Sequence, residues 1–352
     1  MTTTIQRIAV LRALHLGDLL LAVPALRALR SGFPRAEITL IGLPWAAEFA
    51  RHYPRYLDRF VPFQGYPGLG EVPVIAERVA AFLAEQRAYG YDLVVQLHGS
   101  GRASTPCALA LGGRMTAGYY EGARPAGLTL GLPYPTDQPE VLPNLALIRL
   151  LNCPDQRTHL EFPLVGPDRA EAARLLAEAP YRGQPRIGIH AGARAASRRW
   201  PTVRFAQVAD QLAREYGATN VLTGAPNEVA MTYTVAARMR ASALNLAGHT
   251  SLGGLAAVIA SLDLFIANDT GPAHLAEAVG TPSITIFGPA DPRRWAPLDP
   301  ARHPIAREPV ACSPCGYTDC PIDHRCLRRI PSARVVAMAR ALLSGGAAAC
   351  NA

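Results

Sequence analysis

Apolar and polar positions alternate along this chain in a pattern that predicts short strands separated by amphipathic helices. Apolar runs typical of strands cover residues 8–14, 38–43, 60–63, 92–97, 186–190, 220–223, 244–246, 264–267 and 283–287. Between them, apolar residues recur at helical spacing over residues 18–30, 44–52, 72–88, 202–216, 227–240, 252–260, 272–279 and 332–343. Strands that alternate with such helices form βαβ units, so the fold class that we predict is α/β with parallel sheets.

The length of the chain and one segment rich in turn residues indicate two domains. A domain of ordinary size has about 150 residues, and the chain has 352. The segment 152–168 begins with Asn-Cys-Pro-Asp and ends with Val-Gly-Pro-Asp, which is typical of a linker. We therefore expect two Rossmann-like, doubly wound domains that face a central cleft, with ligands at the carboxyl ends of the strands.

Composition and charge narrow the classes of function. The apolar opening at residues 8–26 is interrupted by Arg12, His15 and Asp18, so it predicts neither a signal sequence nor a membrane anchor, and we expect a cytoplasmic protein. The formal net charge is +8, and all 35 basic residues are Arg. Guanidinium groups suit nucleotides, phosphorylated glycans or an anionic membrane surface, although a GC-rich genome also explains the absence of Lys. No long basic run or zinc-finger pattern occurs, which argues against nucleic acid as a partner.

The first candidate site follows the first predicted strand, in the sequence Leu-His-Leu-Gly-Asp that ends at Asp18. Gly17 permits a tight turn from strand to helix. Asp18 then either caps the helix or acts as a general base at the edge of the cleft. The turn has no G-x-G-x-x-G fingerprint, which argues against a dinucleotide-dependent oxidoreductase.

The second and third candidate sites follow strands in the second half. After the strand at 186–190, a loop of small residues around Gly192 leads to Arg198 and Arg199, which could neutralise a diphosphate or simply be solvated. After the strand at 264–267, Asn-Asp-Thr-Gly-Pro opens a helix whose first N–H groups would bind phosphate. Asp269 in that segment is placed to accept hydrogen bonds from sugar hydroxyls.

Two further residues have both a functional and an ordinary interpretation. Glu228 follows the strand at 220–223 and suits a ribose diol, but a Glu at a helix N-terminus is equally common. His274 lies one turn into the helix after Asp269 and is either part of the donor site or a core histidine.

Three segments resemble glycosyltransferase family 9, the ADP-heptose:lipopolysaccharide heptosyltransferases. They are LHLGDLLLAVPALRALRSGFPRAEITLIG, RRWPTVRFAQVADQL and NDTGPAHLAEAVGTPSITIFGPADPRRWAPL. The resemblance implies a GT-B fold with an acceptor-binding domain over 1–165 and a nucleotide-sugar-binding domain over 166–330. It further implies that a C-terminal helix and tail over 331–352 pack back towards the N-terminal domain.

The resemblance also implies an inverting glycosyl transfer without a metal or cofactor. Asp18 corresponds to the general base, and Arg198 stands where many members have a Lys that contacts the diphosphate. The donor-binding residues that it implies are Arg198, Glu228, Asp269, Thr270, Gly271 and His274. The expected partners are ADP-heptose or a related nucleotide sugar and an anionic glycan or glycolipid acceptor, with a location compatible with peripheral contact at the inner membrane.

Other functions stay open at this point. A GT-B epimerase of nucleotide sugars, or a transferase for a small-molecule or protein acceptor, would keep the donor site. A non-catalytic sugar-nucleotide-binding protein is a more distant alternative, because such a protein would be expected to lack Asp18.

Four of the seven cysteines form a C-x2-C-x4-C-x5-C pattern at Cys312, Cys315, Cys320 and Cys326. Such a cluster either binds a structural metal such as zinc or packs as reduced thiols. We expect packing thiols and assign no metal to the site.

Overall fold

The computed structural model describes residues 5–179 and 182–349, so Cys350 lies outside the described residues. Its contacts divide the chain into two units, Met1–His159 and Leu160–Ala352. This division falls inside the predicted linker at 152–168, and the described part of the C-terminal tail, 331–349, belongs to the second unit.

The first unit is built on a parallel sheet of six strands in the order β3-β2-β1-β4-β5-β6. The strands are β1 (Arg7–Leu11), β2 (Glu37–Gly42), β3 (Arg59–Pro62), β4 (Leu93–Gln96), β5 (Met115–Tyr120) and β6 (Leu130–Pro133). In register, Ile8 of β1 pairs with Ile38 of β2 and with Leu93 of β4. β1 and β4 are buried almost throughout, as expected for central strands of a parallel sheet.

Six helices accompany this sheet. They are α1 (Leu16–Leu20), α2 (Val23–Gly32), α3 (Ala46–Arg51), α4 (Ala76–Tyr89), α5 (Ser104–Ala110) and α6 (Val141–Arg149). The helix predicted over 18–30 is therefore two helices. Pro24 explains the break, because proline has no N–H to donate and its ring clashes with the carbonyl four residues earlier.

The second unit repeats the topology of the first. Its parallel strands follow the order β12-β11-β10-β7-β8-β9. Read from β9 to β12, with β7 counted as the first strand, this is the same order as in the first sheet. They are β7 (Arg186–His190), β8 (Thr219–Thr223), β9 (Ala243–Asn245), β10 (Leu264–Asn268), β11 (Ser283–Phe287) and β12 (Ile305–Arg307). The accompanying helices are α7 (Gly166–Leu176), α8 (Thr202–Tyr216), α9 (Val229–Ala236), α10 (Leu252–Ala260), α11 (Gly271–Ala278), α12 (Pro292–Trp295), α13 (Arg325–Arg328) and α14 (Ser332–Ala349).

Each unit has its own apolar core. In the first, Ala9 and Leu11 of β1 and Val94 of β4 pack with Phe82 of α4 and Cys107 of α5. Alternate residues of β1 point to this face, as the period of a strand requires.

In the second unit, alternate residues of β7, β10 and β11 pack against α8 and α14. Trp200 is fully buried in this core, and its indole N–H donates to the carbonyl of Ile330 (3.2 Å). Val335 and Ala339 of α14 belong to the same core, so the packing observed for this helix is with the second unit.

The nine strands predicted from the sequence are all present, with ends shifted by up to three residues. Three strands were not predicted: β6 and β12, which lie at sheet edges, and β5, which lies next to β6. None of the helices in the described residues is long and apolar enough to cross a membrane.

Candidate active site

The carboxyl ends of two pairs of central strands carry most of the predicted site residues. In each sheet the order of the strands reverses between the first and the fourth strand, at β1 and β4 in the first unit and at β7 and β10 in the second. Ligands of doubly wound sheets bind in the crevice at such a switch point. Asp18 follows β1, whereas the six predicted donor-binding residues lie in the second unit.

Asp18 is the third residue of α1 and holds the start of that helix. Its Oδ2 atom accepts a hydrogen bond from the backbone N–H of His15 (3.2 Å). Asp18 therefore caps the helix. The capping bond leaves room for the general-base interpretation, because a carboxylate can accept several hydrogen bonds. Asp18 is partly exposed.

Arg12, the first residue after β1, supports the turn that carries Asp18. Its side chain is 1% exposed, and its Nε atom donates to the backbone carbonyl of Asp18 (2.7 Å). Its terminal nitrogens bind the carbonyl of Leu97 and the side chain of Asn144 (3.2 Å), and Glu140 lies 3.9 Å away. A buried cation with these partners fixes the loop after β1 to the loop after β4.

In the second unit, one buried amide joins three segments of the candidate donor site. Asn268, the last residue of β10, accepts from the N–H of Trp200 (3.0 Å) and donates to the carbonyl of Ala191 (2.7 Å). Asn268 is fully buried, so the loss of either bond would leave a polar group without compensation. The amide thereby holds the loop with Arg198 next to Asp269.

Arg198 and Asp269 form an ion pair of 3.1 Å between Arg198 Nη1 and Asp269 Oδ2. The carboxylate side chain is 4% exposed and the guanidinium 39%. Thr270 follows in extended conformation, and Gly271 and Pro272 are the first residues of α11. The predicted helix start is thus present, with a basic side chain beside it.

Glu228 lies at the start of α9, where its carboxylate has two partners. Its Oε2 atom accepts from the N–H of Ala225 (2.9 Å) and lies 3.4 Å from Nε2 of His190. The other ring nitrogen of His190, Nδ1, lies 3.1 Å from the hydroxyl of Thr223, so this histidine connects Glu228 with the end of β8. Burial lowers the pKa of His190, which keeps the ring neutral in this arrangement.

Gly192 lies directly against the carboxylate of Glu228, where a larger side chain would not fit. A Cβ atom at this position would lie 2.1 to 2.3 Å from the atoms of the Glu228 carboxylate. Glycine is therefore needed here to leave room for that carboxylate, in addition to any close approach of a ligand.

His274 is buried on α11, and its Nδ1 lies 3.9 Å from the carboxylate of Glu277, one turn further along. Its Nδ1 has no hydrogen-bond partner among the described residues, so His274 as a donor-binding residue stays a prediction.

The cysteine-rich segment contacts the loop with Arg198. Ser197 donates its N–H to the carbonyl of Thr318 (2.9 Å) and its hydroxyl to the carbonyl of Tyr317 (2.6 Å). The N–H of Cys315 donates to the carbonyl of Pro289, after β11 (2.8 Å). Within residues 5–179 and 182–349, no group of three or more His, Cys, Asp or Glu side chains is arranged to hold a metal ion.

Several of these residues were not identified from the sequence as part of a site. Arg12 directly follows β1 and His190 is the last residue of β7, so their position next to a predicted site was the available signal. Asn268 stood inside the quoted Asn-Asp-Thr-Gly motif, but only the structure reveals that its amide connects β10 with the loop at 191–192 and Trp200.

Comparison with known proteins identifies the family. A family model described as "Glycosyltransferase family 9 (heptosyltransferase)" matches residues 79–325, which is more than half of the chain. Lipooligosaccharide heptosyltransferase 2 of Campylobacter jejuni is 29% identical over 168 residues, which cover 46% of this chain and 52% of that protein. The match thus spans about half the length of this relative.

Two solved structures have the same fold over almost the whole chain. The glycosyl transferase family 9 protein of Veillonella parvula has a TM-score of 0.78 at 22% identity, covering 98% of this chain and 99% of the other. The E. coli ADP-heptose lps heptosyltransferase II has a TM-score of 0.77 at 21% identity, covering 97% and 99%. The predicted α/β fold of GT-B type is thereby confirmed.

The contact between Gly192 and Glu228 leads to a first prediction. In Gly192→Ala the new Cβ displaces the Glu228 carboxylate, so a ligand that needs this carboxylate should bind more weakly. The loss of one hydrogen bond to a charged group is worth about 1.5–3 kcal/mol, or roughly 10- to 100-fold in affinity. Titration calorimetry with ADP measures it.

Gly166→Ala is the matched control, because a Cβ there meets no atom within 4 Å. Wild-type affinity for ADP in Gly192→Ala would mean that Glu228 does not contact the nucleotide.

The cysteines give a second prediction. Backbone N–H groups of Ile322 and His324 lower the pKa of Cys320, whereas burial raises the pKa of Cys107 to about 12 and of Cys153 to about 11. A lower pKa gives more thiolate at neutral pH, so iodoacetamide should alkylate Cys320 before the two buried thiols. Peptide mass spectrometry after brief labelling at pH 7 measures the order.

Elemental analysis of the same preparation, purified without chelator, should find well below one metal ion per chain. About one equivalent of metal, with Cys312, Cys315, Cys320 and Cys326 protected together, would instead establish a structural metal site.

Proposed function

We propose, since the chain belongs to glycosyltransferase family 9, that it transfers a heptose or a related sugar from an ADP-sugar to a lipopolysaccharide-core-like acceptor. The observation that carries this proposal is the Arg198–Asp269 ion pair at the start of α11. It combines a cation, a buried carboxylate and a helix N-terminus, which are the groups that a diphosphate-linked sugar requires.

In this proposal the donor binds to the second unit. Arg198 uses one nitrogen on Asp269 and has further N–H groups for the diphosphate, while the first N–H groups of α11 face the same phosphates. Glu228 accepts hydrogen bonds from the ribose diol, and Asp269 accepts from the donor sugar. The similar E. coli protein is an ADP-heptose lps heptosyltransferase, which supports this choice of donor.

The chemical step is a single displacement with inversion. Asp18 removes the proton of the acceptor hydroxyl as its oxygen attacks the anomeric carbon from the face opposite the diphosphate. Arg198 and the helix start stabilise the negative charge that develops on the leaving ADP. The positive charge thus comes from the protein, so the proposed mechanism needs no metal.

The acceptor that we propose is an anionic glycan or glycolipid of the lipopolysaccharide core, bound by the first unit. The name of the C. jejuni relative supports it, since that protein is described as a lipooligosaccharide heptosyltransferase. The net charge of +8 suits an anionic acceptor and a peripheral position at the cytoplasmic face of the inner membrane.

The role of Asp18 is tested by Asp18→Asn. The amide oxygen still accepts from the N–H of His15, so the fold should be as stable as in the wild type, but the base is lost. We expect turnover to fall about 100-fold or more. Release of ADP from ADP-heptose in the presence of core oligosaccharide measures turnover, and thermal unfolding measures stability. Turnover close to the wild type would leave Asp18 with its capping role alone.

Arg198→Ala and Asp269→Ala test the donor site by their different effects. Arg198→Ala removes a contact with the diphosphate, so affinity for ADP itself should fall roughly 10-fold or more. Asp269→Ala removes a contact with the sugar and leaves Arg198 unpaired, so ADP should bind at least as well as to the wild type while the KM for ADP-heptose rises.

Calorimetry with ADP and initial rates with ADP-heptose separate the two variants. Arg194→Ala is the control, since Arg194 is an exposed arginine of the same loop. Equal losses of ADP affinity in both test variants would refute this division of roles.

A further inference from the structure

The first unit contains a histidine–glutamate pair that the proposed mechanism does not use. His98 follows β4 at the switch point of the first sheet and is 4% exposed. Its Nε2 lies 3.5 Å from Oε1 of Glu71, which comes from the loop before α4. Both residues are far from each other in sequence, so the fold alone creates the pair.

The hydrogen bonds of His98 determine which atom carries its proton. The backbone N–H of Ala13 donates to Nδ1 of His98 (3.2 Å), so Nδ1 has no proton. The ring is then neutral, with its proton on Nε2, and donates to Glu71. This bond with His98 is the main cause that lowers the pKa of Glu71, and partial burial of the carboxylate acts in the opposite direction.

Glu71 is therefore an ionised carboxylate with one oxygen bound and the other without a donor. The Oε2 atom is buried and has no hydrogen-bond partner among the residues that the structure describes, although the side chain is 21% exposed as a whole. A buried carboxylate oxygen without a donor costs free energy, which a ligand that brings an O–H group would recover.

The pair is connected to the turn that carries the candidate base. The N–H of Ala13, in that turn, donates to His98, and Arg12 donates both to the carbonyl of Asp18 and to the carbonyl of Leu97, the residue before His98. The second unit has the same chemical pair, His190 at the end of β7 and Glu228 after β8, at 3.4 Å. There the proposed ligand group is a sugar diol.

We propose that Glu71, positioned by His98, binds a hydroxyl group of the acceptor sugar next to the hydroxyl that Asp18 deprotonates. This inference rests on the function proposed above. The ligand group is an uncharged hydroxyl, because a phosphate or carboxylate of an anionic acceptor would be repelled by Glu71.

The experiment measures KM for each substrate separately, with ADP-heptose as donor and deacylated lipopolysaccharide core oligosaccharide as acceptor. Glu71→Gln replaces the free oxygen by an amide that donates or by a neutral acceptor, so the KM of the oligosaccharide should rise about 10-fold or more. The KM of ADP-heptose should stay within about twofold, since the donor binds the second unit. Glu77→Gln, an exposed glutamate of α4, is the control for the loss of charge.

Two substitutions of His98 test its positioning role. In His98→Asn the side-chain oxygen can still accept from the N–H of Ala13, but no donor reaches Glu71, so the KM of the oligosaccharide should rise as in Glu71→Gln. His98→Gln can extend an amide N–H towards Glu71 and should restore part of the loss. A merely structural role would instead lower thermal stability in both variants and leave the ratio of the two KM values unchanged.

Calorimetric titration of the oligosaccharide without donor separates failure of this inference from failure of the proposed function. Wild-type transfer together with an unchanged acceptor KM in Glu71→Gln overturns the role of Glu71 alone. Absence of transfer by the wild type overturns the proposed function, and the titration of wild type and Glu71→Gln then decides the binding role. Equal affinities, or no binding by either protein, overturn it.

Discussion

Parallel pairing of every strand in both sheets is the constraint from which the candidate site follows. In a parallel sheet all carboxyl ends lie along one edge, so the loops that follow central strands are neighbours whatever their distance in sequence. Buried strands bring polar termini to that edge, and those polar groups need partners. The residues that supply the partners, Arg12 in the first unit and Asn268 in the second, therefore also fix the loops that carry reactive side chains.

Burial makes these supporting contacts strong. Arg12 and Asn268 are both almost completely inaccessible, so the polar atoms of each depend on partners within the protein rather than on water. Arg12 connects the turn at Asp18 with Leu97, and Asn268 connects β10 with Ala191 and Trp200. A loop held by such bonds is pre-organised, and catalysis by fixed charges depends on that rigidity.

The sequence was sufficient for the fold class, the central strands and the motifs at their ends, because burial and helical spacing are local signals. It was not sufficient for β5, which contains Gly118, or for β6, a short edge strand that contains Gly131 and Pro133. Nor could it reveal the pairing of His98 with Glu71, since neither residue forms a local pattern. Their contact depends on the loop before α4 returning to the switch point, which is a property of the tertiary structure.

The two switch points combine the same types of charge in opposite arrangements. In the first unit the cation is buried, with Arg12 at 1% exposure, and the partly exposed Asp18 presents an anion. In the second unit Asp269 is the buried member, and Arg198, at 39% exposure, presents a cation. An exposed carboxylate suits an uncharged hydroxyl that must lose a proton, whereas an exposed guanidinium suits a diphosphate that gains charge as it leaves. One topology used twice thus supplies two opposite electrostatic environments, and the proposed transfer of a sugar from a nucleotide donor would use both.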